Sequence, residues 1–190
     1  MARLFDPTKG IVLFNGKDIR TWNREEISEK IGFILQDPFL FAGTVRENIL
    51  YGSTAQKKHA SEDITKLLAE QGLESLLSVF PNGLDTEVTG TGDSISLGQK
   101  QIIAFIRAIL RKPALLILDE ATANIDTVTE QILEQIIAKL PKETTKVIIA
   151  HRLNTIEAAD EIFFISGGTI SQTRSFDDAV TMLLHKKRTS

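Results

Sequence analysis

The sequence lacks several features that would point to particular classes of protein. It contains no cysteine, which excludes disulfides and thiolate metal sites. No apolar run approaches the ~18 residues of a membrane-spanning helix, and no apolar block of the signal-peptide kind follows Met1. Neither sign of charge dominates, since 22 basic and 25 acidic residues give a net charge of −3. The charge therefore gives no reason to expect a nucleic-acid partner.

What is present is a globular composition with short apolar runs. Helix-period segments separate these runs, a pattern that predicts an α/β fold with a mainly parallel sheet whose strands are buried on both faces. Near the start, Asn15-Gly16 predicts a tight hairpin between Ile11–Phe14 and Lys17–Ile19. The four predicted sheet strands are Ile31–Leu35, Ala114–Leu118, Lys146–Ala150 and Glu161–Ser166.

The region from about residue 37 to residue 110 shows helical patterns and no convincing strand. We predict a helical subdomain at 37–110, inserted into an α/β lobe made of 1–36 and 111–190. One predicted helix carries Ile64, Leu67 and Leu68 on one face, and another carries Leu73, Leu76 and Leu77. Capping boxes predict helix starts at Ser96 with Gln99 and at Thr127 with Glu130, and Phe176–Leu184 reads as a short terminal helix.

The segment Leu115–Glu120 is an apolar strand that ends in two acids. A buried parallel strand delivers its last residues to the carboxyl edge of the sheet, where ligands bind. Asp119 is therefore a candidate Mg²⁺ ligand, and Glu120 is a candidate base for an attacking water. Taken alone, the same pattern also fits a strand that runs into an ordinary polar turn.

Four motifs in order and at matching spacing resemble the ATP-binding domain of ABC transporters, over essentially the whole chain. The segment around Gln36 resembles the Q-loop, and Ser96-Leu97-Gly98-Gln99 resembles the signature LSGGQ. Leu118–Asp126 resembles Walker B continuing into the D-loop, and Ala150-His151-Arg152-Leu153 resembles the switch-histidine segment. The resemblance implies a P-loop NTPase fold of the RecA-like kind with an inserted ABC-type helical subdomain.

The resemblance also implies site residues. Gln36 would contact Mg²⁺ and the attacking water, and His151 would contact the γ-phosphate and act with Glu120 in catalysis. Ser96, Gly98 and Gln99 would bind the γ-phosphate held by a second ATP-binding domain, because a capped helix start is an anion site. Asp126 would be the D-loop acid at the same interface, and the domain would work as a homodimer or, as Leu97 suggests, a heterodimer.

Cofactors, partners and location follow from the same resemblance. The parent protein would use Mg²⁺ and ATP, and it would contact the coupling helices of a transmembrane domain at the cytoplasmic face of a membrane. Phe39–Ile49 is similar to exporters rather than importers, so the parent activity would be ATP-driven export. No nucleic acid is expected as a partner, and no cofactor is expected on the 190 residues alone.

Three departures from the family pattern matter. Leu97 stands where the signature usually has glycine, and Thr89–Gly92 replaces a more usual exporter stretch. The phosphate-binding loop G-x-x-x-x-G-K-[ST], Walker A, does not occur, and Gly16-Lys17 is rejected as a substitute because it lies in the predicted hairpin. Met1–Gly10 resembles the stretch after that loop's helix, so we expect a chain truncated there and a gap in the sheet between Lys146–Ala150 and Glu161–Ser166.

Three interpretations remain open. The first is the C-terminal part of an exporter ATPase domain that alone neither binds nor hydrolyses ATP. The second is a non-catalytic module that offers its signature face to an intact ATPase. The third is the ATPase head of a chromosome-maintenance or DNA-repair protein, against which the exporter-like segment around Gln36 and the absence of coiled-coil heptads both argue.

Overall fold

A computed structural model describes residues 5–52, 61–89, 94–121, 125–150, 157, 159–173, 176–178 and 180–181. The chain divides into two compact units, 1–147 and 148–190, with the boundary inside a strand. The helices are α1 (Arg24–Lys30), α2 (Val45–Leu50), α3 (Ser61–Glu70), α4 (Leu97–Ile109) and α5 (Thr127–Lys139). The strands are β1 (Leu13–Phe14), β2 (Lys17–Asp18), β3 (Ile31–Ile34), β4 (Gly43–Thr44), β5 (Glu87–Val88), β6 (Leu115–Asp119), β7 (Thr145–Ile149), β8 (Ile162–Ser166) and β9 (Thr169–Thr173).

The central sheet has the order β3-β6-β7. β3 and β6 are parallel, with Ile31 opposite Leu115 and Ile34 opposite Leu118. Both strands are mostly buried, which confirms the predicted α/β class and the parallel sheet. The predicted hairpin is also confirmed, because β1 pairs with β2 around Asn15 and Gly16, which both have positive φ.

Two layers cover the pair β3 and β6. On one face, the N-terminal hairpin and α1 contribute Ile19 and Ile27 to a core cluster with Ile31 and Leu115. On the other face lies α4, whose approach depends on Gly32. A Cβ at position 32 would lie 2.9 Å from Leu116 Cδ1 and 3.5 Å from Ala108 Cβ. Glycine therefore permits close packing between the strand and the helix.

α4 is buried nearly all round, because it packs against α2 as well as against β3. Its predicted start is confirmed, since Ser96 and Gln99 form a capping box. The apolar positions of the sequence pattern, Ile102, Ile103, Ile106, Ile109 and Leu110, predict a narrower buried face than the structure shows, because Gln101, Ala104, Phe105 and Ala108 are buried as well. A helix with this burial serves as a central support for the elements around it.

Residues 37–110 are mainly helical, but two details of the prediction for them are wrong, and so is one helix cap further along the chain. β4 and β5 form a short antiparallel pair where no strand was expected; strands of two residues carry too little alternation to be seen in a sequence. Leu76 and Leu77 lie in a 3₁₀ segment, Glu74–Val79, which Leu73 precedes, rather than in an α-helix. The α5 cap is Asp126 rather than Thr127. The assignment of 37–110 to a separate subdomain stays a prediction.

The sequence predicts that β7 and β8 are buried on both faces, but the structure leaves much of both strands exposed. β7 is exposed at three of its five positions, and Phe163 and Ile165 of β8 are 54% and 66% exposed. Among the described residues, β8 pairs with β9, and the central sheet has the order β3-β6-β7; the expected gap in the sheet stays a prediction. Apolar side chains stay exposed on these strands because no further described layer covers them. At the predicted terminal helix, 176–178 and 180–181 are helical and the rest lies outside the described residues.

Candidate functional site

The register of β3 and β6 brings two of the predicted segments to one edge of the sheet. Ile34 lies opposite Leu118, so Leu35-Gln36 and Asp119-Glu120 leave their strands at the same carboxyl edge. The Gln36 side chain is exposed, and both acids are half-buried. The edge therefore presents an amide and two carboxylates to one region of the surface, which is where parallel sheets bind ligands.

Glu120 has a left-handed backbone conformation, with a φ of 48°. Such values are uncommon for residues with a side chain and cluster at functional sites. The turn at Glu120 ends β6 and gives its side chain a direction different from that of Asp119. The two adjacent acids can therefore take different roles, as the sequence predicts.

The amino end of α4 carries the predicted signature residues. Gln99 N donates to Ser96 Oγ at 3.2 Å, and Ser96 N donates to Gln99 Oε1 at 2.8 Å. Gln99 Nε2 also donates to Val79 O at 2.7 Å. These contacts fix the first turn and leave the N–H groups of Leu97 and Gly98 without an acceptor inside the helix, as at any helix start. A helix start of this kind can bind an anion, and binding of a phosphate here stays a prediction.

Gly98 also lets α4 approach the start of α5. A Cβ there would lie 3.2 Å from Thr129 Oγ1 and 3.4 Å from Asp126 Oδ2. Glycine at position 98 therefore avoids tight contacts between two helix starts. The expected approach of a phosphate to Gly98 stays a prediction.

Asp126 caps α5 with both carboxylate oxygens. Oδ1 accepts from Thr129 N at 2.9 Å, and Oδ2 accepts from Thr129 Oγ1 at 2.7 Å. The hydrogen bond from the Thr129 backbone is the main cause that lowers the pKa of Asp126 below its ordinary value of 3.8. The cap shifts from Thr127 to Asp126 because the Asp126 backbone is still extended and its carboxylate is the acceptor in reach.

Gln101 is a residue that sequence reasoning missed. It is completely buried, and its Nε2 donates to Leu35 O at 3.0 Å and to Gln36 O at 2.7 Å. The available signal was a neutral amide directly before the mainly apolar stretch Ile102–Leu110, inside the same predicted helix. Polar side chains in such places need specific partners.

A shallow groove of about 170 Å³ lies beside this edge and contains neither acid. Phe33, Leu35 and Phe39 expose apolar surface there, and Arg107 borders it. Arg107 donates to Asn48 O at 2.8 Å and to Phe39 O at 3.2 Å, and burial is the first cause that lowers its pKa to about 10. The groove is a second surface feature, distinct from the carboxyl edge.

Three sets of predicted residues lie outside the described part of the chain, one of which is residues 122–124 of the segment that resembles Walker B and the D-loop. His151 and the rest of the switch segment after Ala150 belong to them, and so do Gly90–Gly92. Among the described residues, no helix is long and apolar enough to cross a membrane. No three His, Asp or Glu side chains of the described residues converge to form a metal cage either.

A parallel sheet covered on both faces, with two acids and a glutamine at its carboxyl edge, is an α/β fold of the class that binds ligands at that edge. Residues 1–123 match the family model described as ABC transporter. The chain belongs to the ABC transporter family.

Several known proteins are similar to this chain. An uncharacterized ABC transporter ATP-binding protein of Bacillus subtilis, YfiC, is 43% identical over 180 residues, which are 95% of this chain and 29% of that protein. A fatty acid ABC transporter ATP-binding/permease protein of Mycobacterium bovis is 38% identical over 90% of this chain and 26% of its own length. The chain therefore spans less than a third of these relatives.

A solved structure supports the same family. The structure of a bacterial Atm1-family ABC exporter with ATP bound superposes with a TM-score of 0.80 at 30% identity, over 95% of this chain and 31% of that one. Both the predicted family and the P-loop NTPase fold are thus confirmed.

The cap at Asp126 gives a testable dependence of stability on pH. Asn is an equally good cap but carries no charge, so Asp126→Asn should lower the free energy of unfolding at neutral pH. The lowered pKa of Asp126 means that its stabilising effect is complete above the unfolded value of 3.8 and is lost as pH falls through the native value. Urea unfolding of both proteins should give a constant difference above about pH 5 that narrows below it. A difference that does not change down to about pH 2 would contradict the assignment.

Proposed function

We propose that these residues form the catalytic and signature-bearing part of the ATPase domain of an ABC exporter. The observation that carries the proposal is the shared sheet edge, where Gln36 and the pair Asp119-Glu120 follow directly paired strands. Glu120 orients or deprotonates the attacking water, Asp119 and Gln36 hold Mg²⁺, and His151 contacts the γ-phosphate. The family membership and the similarity to exporters support these roles.

The donor set at the edge fits Mg²⁺ bound together with a nucleotide. Mg²⁺ is usually held by one or two carboxylates, with phosphates and waters completing its coordination. Asp119 supplies one carboxylate and Gln36 one amide oxygen, which suits a Mg-nucleotide better than free Mg²⁺. When bound, the ion neutralises charge on the transferred phosphoryl group.

The residues that would hold the phosphates of ATP are not all present in the 190 residues, because the Walker A pattern does not occur in them. Charge-assisted hydrogen bonds contribute about 1.5–3 kcal/mol each. The loss of roughly four of them weakens binding by at least ~6 kcal/mol, or about four decades. We infer that a working site takes this loop from residues outside the 190.

Two partners follow from the proposal. A second ATP-binding domain places its nucleotide against Ser96, Gly98 and Gln99, with Asp126 beside them. A transmembrane domain contacts the groove at Phe33 and Phe39 and the segment Thr89–Gly92, which places the domain at the cytoplasmic face of a membrane. The relatives described as ATP-binding/permease proteins support a membrane part. Leu97 favours a heterodimer, because it stands at the signature position that is usually glycine.

An alternative function is a non-catalytic module that offers only its signature face to an intact ATPase. The capped start of α4 supports either function. The two acids at the sheet edge favour the catalytic one, since a module without catalysis needs neither.

The role of Glu120 can be tested in the complete transporter. Glu120→Gln should lower ATP hydrolysis by at least about a hundredfold, because it removes the general base, and should retain ATP binding. Glu134→Gln, on the exposed side of α5, is the matched control and should hydrolyse ATP normally. Undiminished hydrolysis by Glu120→Gln would remove Glu120 from the proposed site and favour the non-catalytic module.

The missing phosphate loop can be tested on the 190 residues alone. Calorimetric titration with Mg-ATP should give a dissociation constant weaker than about 1 mM, by the energy argument above. The control is the ATPase domain extended upstream through a Walker A loop, which should bind more tightly by orders of magnitude. A sub-millimolar dissociation constant for the 190 residues would show that another group holds the phosphates.

A further inference from the structure

The side chain of Gln101 joins two parts of the candidate site. It lies in the second turn of α4 and is completely buried. Its Nε2 donates both hydrogens, to Leu35 O at 3.0 Å and to Gln36 O at 2.7 Å, across more than sixty residues of sequence. One amide therefore holds two successive backbone carbonyls directly after β3.

These carbonyls lie where the chain leaves the sheet. The pairing of β3 with β6 ends at Ile34, so Leu35 and Gln36 are beyond the strand pairing. Buried or half-buried carbonyls without a donor are costly. Gln101 supplies the two donors and thereby fixes the backbone from which the Gln36 side chain projects.

Burial of the Gln101 side chain in the core costs free energy. Its Oε1 is buried and accepts no hydrogen bond from any described residue, and a buried unsatisfied acceptor is destabilising. An apolar side chain of equal size would avoid that cost, since the helix around Gln101 is otherwise packed with Ile102, Ile103 and Phe105. The amide is explained by what it holds rather than by packing.

We propose that Gln101 is a positioning residue for Gln36 and couples it to the signature helix. Gln101 and Ser96 lie on α4, and Gln36 lies at the carboxyl edge of the sheet, so a displacement of α4 relative to β3 moves the backbone at Gln36. Gln101 touches neither nucleotide nor Mg²⁺ and acts only through Gln36. This inference rests on the proposed function of the edge as an ATPase site.

The test is a double-mutant cycle in the complete transporter, with Gln101→Met and Gln36→Ala. Met has nearly the shape of Gln but donates no hydrogen bond. Gln101→Met should lower kcat for ATP hydrolysis about tenfold to a hundredfold, because small misplacements of a catalytic group have effects of that size, and should raise KM for Mg-ATP by a much smaller factor, because Asp119 still holds the ion. In the Gln36→Ala background, it should lower kcat by less than about twofold more, because coupled residues are not additive.

The matched control is Thr144→Val. Thr144 is also buried and also donates to a backbone carbonyl, Pro113 O at 3.1 Å, but it does not contact Gln36. It should lower the melting temperature and leave kcat unchanged. If Gln101→Met does not accumulate, Gln101→Leu serves the same purpose, because it also removes both donors.

Two outcomes would overturn the inference. One is an unchanged kcat in Gln101→Met; the other is a loss that multiplies with that of Gln36→Ala, which would show a role independent of Gln36. A different result would show that the proposed ATPase function is wrong. In that case Glu120→Gln would hydrolyse ATP normally, whatever the two glutamine variants do.

Discussion

The parallel pairing of β3 with β6 is the constraint on which the rest of the candidate site depends. With Ile34 opposite Leu118, Gln36 and Glu120 lie two residues beyond paired positions at the same edge. A one-residue change of register would turn the side chains of one strand to the opposite face and move the apolar groups of Leu115 and Ile117 out of their core cluster. The burial of β6 therefore fixes the position of its two acids.

α4 connects this strand pair to the predicted signature residues at its own amino end. Its first turn holds the signature residues, its second turn holds Gln36 through Gln101, and its third and fourth turns pack on β3 through Ala108 opposite Gly32. One rigid helix thus connects the predicted anion site, the Q-loop backbone and the sheet. Near its end, Arg107 binds backbone carbonyls beside the groove, so the same helix also supports the surface that we assign to the membrane part.

Sequence alone predicted the features that depend on local chemistry or on long apolar runs. The Asn15-Gly16 hairpin, the capping box at Ser96 and the buried strands β3 and β6 are of this kind. The two-residue strands β4 and β5 carry no periodicity that a sequence could reveal. The exposure of Phe163 and Ile165 depends on which layers cover β8, and the role of Gln101 depends on carbonyls distant in sequence. Neither the exposure of β8 nor the contacts of Gln101 can be read from a short stretch of sequence. The predicted roles of Gln36, Asp119, Glu120 and His151 stay predictions.

We propose that Asp119 and Gln36 share one metal-nucleotide site at the edge of the sheet. The most direct measurement is the binding of Mn²⁺, used in place of Mg²⁺, to the complete ATP-loaded transporter, followed by electron paramagnetic resonance. Asp119→Asn should weaken Mn²⁺ binding by about tenfold or more, because it removes the only carboxylate assigned to the ion. Unchanged Mn²⁺ affinity in Asp119→Asn would show that Asp119 does not hold the ion.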